Sequence, residues 1–298
     1  MAEILAVLIF LGMFTAIIIG RVHRYIPAII GGCLALLVVF LIVMRDPAAA
    51  FKVLNLSQLL DFHFWWPGEQ HVESHGINWQ TVIFIGGMMV MVEGLGGVGF
   101  FRWLCLHLAR LVRYRVIPLL VAFMLLSAVL SMFIDSITVL LFLASVTVEL
   151  ARLLKFDPVP VIVAEIFSAN VGGSATMCGD PPNIIIGTAL GYTFTDFAVN
   201  TGPIAWTAMV VTVIYFVLRF RGALKSTGVS PAVIRKNVPA PSEAVTKWPL
   251  FYANTAIFLI VVILLITHAE TGMSVALIGV IAAFLTLLAG IKEGKHQT

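Results

Sequence analysis

The chain has 298 residues, 60% hydrophobic and only 11% charged, with a mean hydropathy of +1.06. Soluble domains are roughly a quarter charged and under half apolar, so a water-soluble globular fold is excluded and a polytopic membrane protein is expected. The small net charge of +3 gives no reason to expect nucleic acid as a partner, and Cys33, Cys105 and Cys178 are too widely spaced for a disulfide framework or a zinc site.

A helix crossing the hydrocarbon core needs about 20 apolar residues. Glu3 to Gly20 is the first candidate. Glu3 stands where a basic leader would be expected and no clear cleavage site precedes Arg21, so this run reads as a span and not as a signal peptide. Ile26 to Met44 is the second. Arg45 to Asn78 is the longest outer loop, with Phe62, Phe64, Trp65 and Trp66 as an interfacial aromatic belt. In it, His71 and His75 would share a helix face beside Glu69 and Glu73, but Gly76 and the loop context favour a solvated loop over a metal site. The remaining candidates are Trp79 to Phe101, Val116 to Phe133, Ile137 to Leu154, Val159 to Gly191 (interrupted), Pro203 to Leu218, Leu250 to His268 and Met273 to Gly290.

Threading these spans with the Arg21/Arg24 turn in the cytoplasm leaves only Arg45 and Lys52, of all the lysines and arginines, outside. This positive-inside bias predicts an external N-terminus, a cytoplasmic C-terminus and residence in the plasma (inner) membrane.

Two stretches break the apolar pattern. Val116 to Leu154 forms two arms with basic residues at both ends and a polar tip at Asp135, Ser136 and Thr138. Hydropathy leaves open whether the arms span the bilayer or form a re-entrant hairpin. An acid at such a tip is costly unless it faces water or a cation. The second stretch is Glu165 to Gly187. Gly172-Gly173 weakens the helix and Pro181-Pro182 removes two backbone donors, with Asn170, Ser174, Thr176, Asp180 and Asn183 around the gap. Irregular backbone at membrane depth is tolerated only where protein buries it or water reaches it, so a broken helix rich in small polar residues predicts an ion or substrate site. Asp180 also fits a simple helix cap. The N-terminus of the half-helix from Asn183 would suit an anion, and the carbonyls ending the preceding half, near Gly172, a cation. Glu165 either faces the cavity one turn from the break, as a possible proton relay, or pairs with a neighbouring helix. Glu93, among Gly86, Gly87, Gly94, Gly96 and Gly97, has no assigned role; the glycines permit close helix approach.

Met273 to Gly290 weakly echoes Ile26 to Ile42, and the two units start on opposite sides, as inverted repeats do. The expected organisation is a first transmembrane repeat over 1–220 (hairpin 116–155, broken helix 158–191), a basic cytoplasmic linker over 221–249, and over 250–298 the first two helices of a second repeat that is incomplete.

The run FIDSITVLLFLASVTVEL together with EIFSANVGGSATMCGDPPNIIIG resembles the ion transporter superfamily, which includes arsenical-pump membrane proteins, citrate-transporter-like permeases, sodium/proton antiporters of the D type and the melanosomal P protein. Asn170, Gly172, Gly173, Ala175, Thr176, Gly179, Asp180, Pro181, Pro182 and Asn183 match the broken-helix motif. In the hairpin, Ser136 stands where the family usually has Asn, and Val139 where it has a second Thr. The resemblance implies an all-α polytopic membrane protein with an inverted-repeat secondary transporter fold. It implies a site at Asp135, Ser136, Thr138, Asn170, Gly172, Gly173, Ser174, Thr176, Asp180 and Asn183, with a small ion as substrate. No cofactor is expected beyond sodium ion or proton as coupling ion. The partners expected are the lipid bilayer and a second-half polypeptide or oligomer. The function expected is secondary active transport of an anion such as arsenite or a carboxylate coupled to a cation. Sodium/proton antiport and a split, non-transporting subunit stand as alternatives. Asp135 and Asp180 as an intramembrane aspartyl protease pair are disfavoured, since Cys178 and Gly179 precede Asp180 where that chemistry has Gly-x-Gly.

Overall fold

The computed structural model describes residues 2–67, 76–222 and 238–294. The His71/His75 pair with Glu69 and Glu73, and the linker residues Lys225, Arg235 and Lys236, lie outside the described residues. Within the described residues all regular structure is helical, and six helices are long and apolar enough to cross a membrane. The protein is an all-α polytopic membrane protein.

The chain divides into two compact units. The first comprises the described parts of Met1–Asp61 and Glu73–Asn78. Here α1 (Ala2–Ile19) packs on α2 (Tyr25–Leu34), which runs on as a π-helical stretch, Ala35–Val43. The contact is close at Gly31, where a Cβ would sit 2.9 Å from the Met13 sulfur. Short α3 (Pro47–Leu54) is capped by the Asp46 carboxylate, which accepts from the Ala49 N–H at 3.1 Å. The stretch expected to be an outer loop is therefore partly helical.

The second unit comprises the described parts of Phe62–Val72 and Trp79–Thr298. After the short α4 (Phe62–Trp65) come α5 (Trp79–Gly97), α6 (Phe100–Leu111), α7 (Val116–Ser131), α8 (Ser136–Leu154), α9 (Val159–Gly173), α10 (Pro181–Leu190), α11 (Phe194–Phe220), α12 (Trp248–Thr271) and α13 (Val275–Gly294). Its most extensive helix pair is α5 with α13. They run parallel, with Gly87 facing Gly279 and Gly94 facing Thr286. On the other side α7 packs along α9, and α8 bridges to α6 and α9.

Two expected boundaries shift, and the end of the linker is packed where a free segment was expected. The span read as Trp79 to Phe101 ends at Gly97; Gly99, at φ +83°, turns the chain into a separate amphipathic helix, α6. That helix buries Phe100, Phe101, Cys105, Leu106 and Ala109 and exposes Arg102, His107 and Arg110. The span read from Pro203 begins instead at Phe194. A capping box starts it, in which the Thr193 N–H donates to the Asp196 carboxylate at 2.8 Å and the Asp196 N–H to the Thr193 hydroxyl at 3.2 Å. Pro203 is absorbed inside. Lastly, the described end of the linker is packed down: Val238, Ala244 and Val245 are buried, and the Thr246 hydroxyl donates to the Gly97 carbonyl at 3.2 Å. A Cβ at Gly99 would lie 1.9 Å from the Ala244 carbonyl oxygen. Gly99→Ala should therefore lower the stability of the purified protein by about 2 kcal/mol or more, combining left-handed strain with this backbone collision. The check is the apparent melting temperature in detergent.

Candidate functional site

The hairpin tip and the broken helix meet. Asp135 ends the turn between α7 and α8 and caps α8: its Oδ2 accepts from the Thr138 N–H and from the Thr138 hydroxyl, each at 3.1 Å. The following residue, Ser136, is buried and reaches the break, donating to Asp180 Oδ1 at 2.7 Å. Both carboxylates stand at this junction, Asp135 at the N-terminus of α8 and Asp180 at that of α10. No basic side chain is paired with either carboxylate among the described residues.

Glycines make this approach possible. A Cβ on Gly173 would fall 2.5 Å from Asp180 Oδ2 and 2.8 Å from the Ser136 hydroxyl, so Gly173 is the floor under the pair. Gly172 meets α7, where a Cβ would lie 2.2 Å from the Ala128 carbonyl oxygen. The loop 174–180 is held by polar contacts that replace the lost helix bonds. The Thr176 hydroxyl donates to the Met132 carbonyl, and the Asn183 amide donates to the carbonyls of Gly173 at 3.2 Å and Thr176 at 3.0 Å.

These contacts decide what the site can accept. The hydroxyl hydrogens of Ser136 and Thr138 are donated to the two carboxylates and that of Thr176 to the Met132 carbonyl, so none of the three is left as a free donor. The first two residues of α10 are prolines and carry no N–H, and the Asn183 N–H donates to the Asp180 carbonyl at 3.1 Å. The half-helix N-terminus that looked suited to an anion therefore has little to donate. Carbonyls ending α9 are largely occupied as well, Gly172 by the Ala175 N–H and Gly173 by Asn183.

Beside Asp135 lies a cavity of about 40 Å³, lined by Thr138, Cys178, Gly179 and Pro181, with Phe84, Met88 and Val92 of α5 as its far wall. That is room for a small ion or a water or two. The wall residues lie around the middle of α5, so both the tip and the break sit at about half the length of that helix.

Three expected site residues stand apart. Asn170 is exposed, with its amide turned back to the Ile166 carbonyl at 2.8 Å, and exposed Ser174 donates to the Val171 carbonyl at 2.8 Å. Glu165 is fully buried eight residues before the end of α9, roughly 12 Å along the axis. It pairs with a neighbouring helix: Oε1 accepts from the Thr147 hydroxyl at 2.5 Å, and Oε2 has no hydrogen-bond partner among the described residues. Cys178 is buried as a packing residue. The α5 wall was not anticipated. Apolar residues in a span carry no local sign of which neighbour they face.

Comparison with known proteins places this all-helical membrane chain, with its broken helix, in a family. Residues 14–294 match the citrate transporter family, and the chain belongs to that family, within the ion transporter superfamily. It is similar to a 46 kDa membrane protein of Mycobacterium leprae, 26% identical over 290 residues that cover 96% of this chain and 61% of that protein. An uncharacterised transporter of Mycobacterium tuberculosis is 25% identical over 297 residues, 99% of this chain and 63% of the relative. The P protein of Homo sapiens is 33% identical over 185 residues, 61% of this chain and 19% of that protein. The chain thus spans about six-tenths of the length of these mycobacterial relatives.

Proposed function

We propose that this chain works in secondary active ion transport, and that the hairpin tip and broken helix hold the coupling cation, a sodium ion or a proton. The observation that carries this reading is the shortage of free donors where the tip meets the break: the carboxylates of Asp135 and Asp180 both stand at this junction, and the hydroxyl hydrogens of Ser136, Thr138 and Thr176 are already donated. Hard oxygen ligands of this kind suit a small cation. The half-depth position of the tip, together with a 16-residue α7 of about 24 Å, supports a re-entrant hairpin over two full spans. Arg102 meets Glu149 at 2.7 Å near the shared end of α5 and α8, the end that the distribution of basic residues assigns to the cytoplasm.

The cargo is a separate question. A citrate-sized anion exceeds a cavity of about 40 Å³, and the site offers it few donors. A carboxylate or arsenite would therefore need the bound cation as its counter-charge, or further donors from a second polypeptide or a second copy. The same shortage of donors favours sodium/proton exchange as the second reading. Calorimetry on the purified protein separates these. Saturable sodium binding that acid competes away is expected, with citrate binding only when sodium is present. Citrate binding that ignores sodium and pH would sink the assignment.

A further inference from the structure

A second feature of the membrane interior lies outside the site just described. A groove of about 1120 Å³ runs between the parallel helices α5, α8 and α13. It adjoins the small cavity beside Asp135, with Thr138 and Met89 lining both. From there it passes Ser145 and Gly94 and ends near Gly290, toward the end where the three helices finish. Glu93 lies in its wall, exposed and with no hydrogen bond or ion pair recorded among the described residues. A carboxylate at such a position in a span is costly unless it faces water or a cation.

The polar groups around Glu93 repeat the bias of the main site. The Ser145 hydroxyl donates to the Phe142 carbonyl at 2.7 Å and the Thr286 hydroxyl to the Ala282 carbonyl at 2.8 Å, so each presents only lone pairs outward. Behind Gly94 the buried Asn254 is 2% exposed; its amide nitrogen donates to the Leu250 carbonyl, and its Oδ1, with no partner, is aimed at the Gly94 backbone. Glu149, further along α8, is already paired with Arg102, whereas Glu93 has no ion pair among the described residues.

We propose that this groove is a watery access path for cations, with Glu93 drawing them in and Thr138 passing them to Asp135. The proposal rests on the cation reading of the Asp135–Asp180 site, yet its test does not require transport. With the native cysteines replaced (Cys33→Ser, Cys105→Ala and Cys178→Ala), single cysteines are introduced as Ser145→Cys and, on the outward side of α12, as Ile263→Cys. The full-length protein in vesicles is then treated with a cationic trimethylammonium methanethiosulfonate or an anionic sulfonate of similar size. Charge-lined clefts raise the local concentration of the attracted ion by 10-fold or more, so the cysteine at 145 should react at least about tenfold faster with the cation, while the one at 263 stays unreactive toward both. Adding Glu93→Gln should bring the two rates at 145 close together. Equal rates with Glu93 intact would overturn the proposal, because the groove would be wet but not cation-selective. Reaction only with an uncharged, lipid-soluble maleimide would overturn it too, because lipid or another protein segment would fill the groove. If the preference holds while sodium binding fails to respond to the Asp135 and Asp180 variants, the path stands and the site assignment falls.

Discussion

Asparagine at Asp135 or at Asp180 is expected to weaken sodium or proton binding by about thirtyfold or more and to abolish gradient-driven flux. Each substitution removes one unit of charge and sets an N–H donor among acceptors. At a separation of 4 Å and an effective dielectric of about 20, one unit charge is worth about 4 kcal/mol. Half of that already corresponds to about thirtyfold in Kd. The fold should survive. Asn is itself a good helix cap, so Asp135→Asn keeps the Thr138 contact, and the remaining amide oxygen of Asp180→Asn can still accept from Ser136. Ser136→Ala makes the graded comparison, since it deletes one hydrogen bond worth about 1 kcal/mol and leaves both charges in place. Calorimetric titration with sodium at two pH values, alongside flux into proteoliposomes, measures all three. Wild-type affinity in both asparagine variants would move the cation site elsewhere.

The break at 174–180 was legible because its causes are local. Two prolines and a glycine pair cannot sustain a helix in lipid, whatever surrounds them. The meeting of Ser136 with Asp180 was legible only as a resemblance, since 44 residues separate them and the contact depends on Gly173 having no side chain. Asn170 is expected at the site by its place in the motif, and Ser174 by its place in the gap. Their side chains follow the phase of α9, which turns both outward and back onto their own helix. At α6 the amphipathic pattern was present in Arg102, His107 and Arg110, but the apolar Val98, Phe100 and Phe101 hid the end of the preceding span. At α11 the capping box Thr193–Asp196 was the stronger signal, and Pro203 misled because it is disfavoured inside helices. Asn254 is a polar residue in an apolar span, visible in the sequence; that it faces Gly94 is a tertiary fact no periodicity encodes.

Gly87→Ala should destabilise the protein by about 3 kcal/mol or more, while Gly86→Ala, one residue away, should leave stability unchanged or raised by up to about 1 kcal/mol. Both sit in α5 and exchange the same atoms. At Gly86 nothing lies within 4 Å of the new methyl group, so only the helix-favouring effect of alanine remains. At Gly87 the methyl group would lie 2.1 Å from the Gly279 carbonyl oxygen and 2.4 Å from its carbon. The obstacle is backbone, so no rotamer change relieves it and α5 must move off α13. Gly279→Ala collides with the other side of the same contact, 2.8 Å from the Phe84 Cα. One separation of the helices would relieve both collisions, so the double variant should cost clearly less than the sum of the singles. Phe84 and Met88 also wall the cavity beside Asp135. Sodium affinity should therefore fall with Gly87→Ala and hold with Gly86→Ala. Apparent melting temperatures taken at one scan rate, paired with sodium titrations, test both effects. Equal stability of the two variants would mean that α5 and α13 do not touch at Gly87.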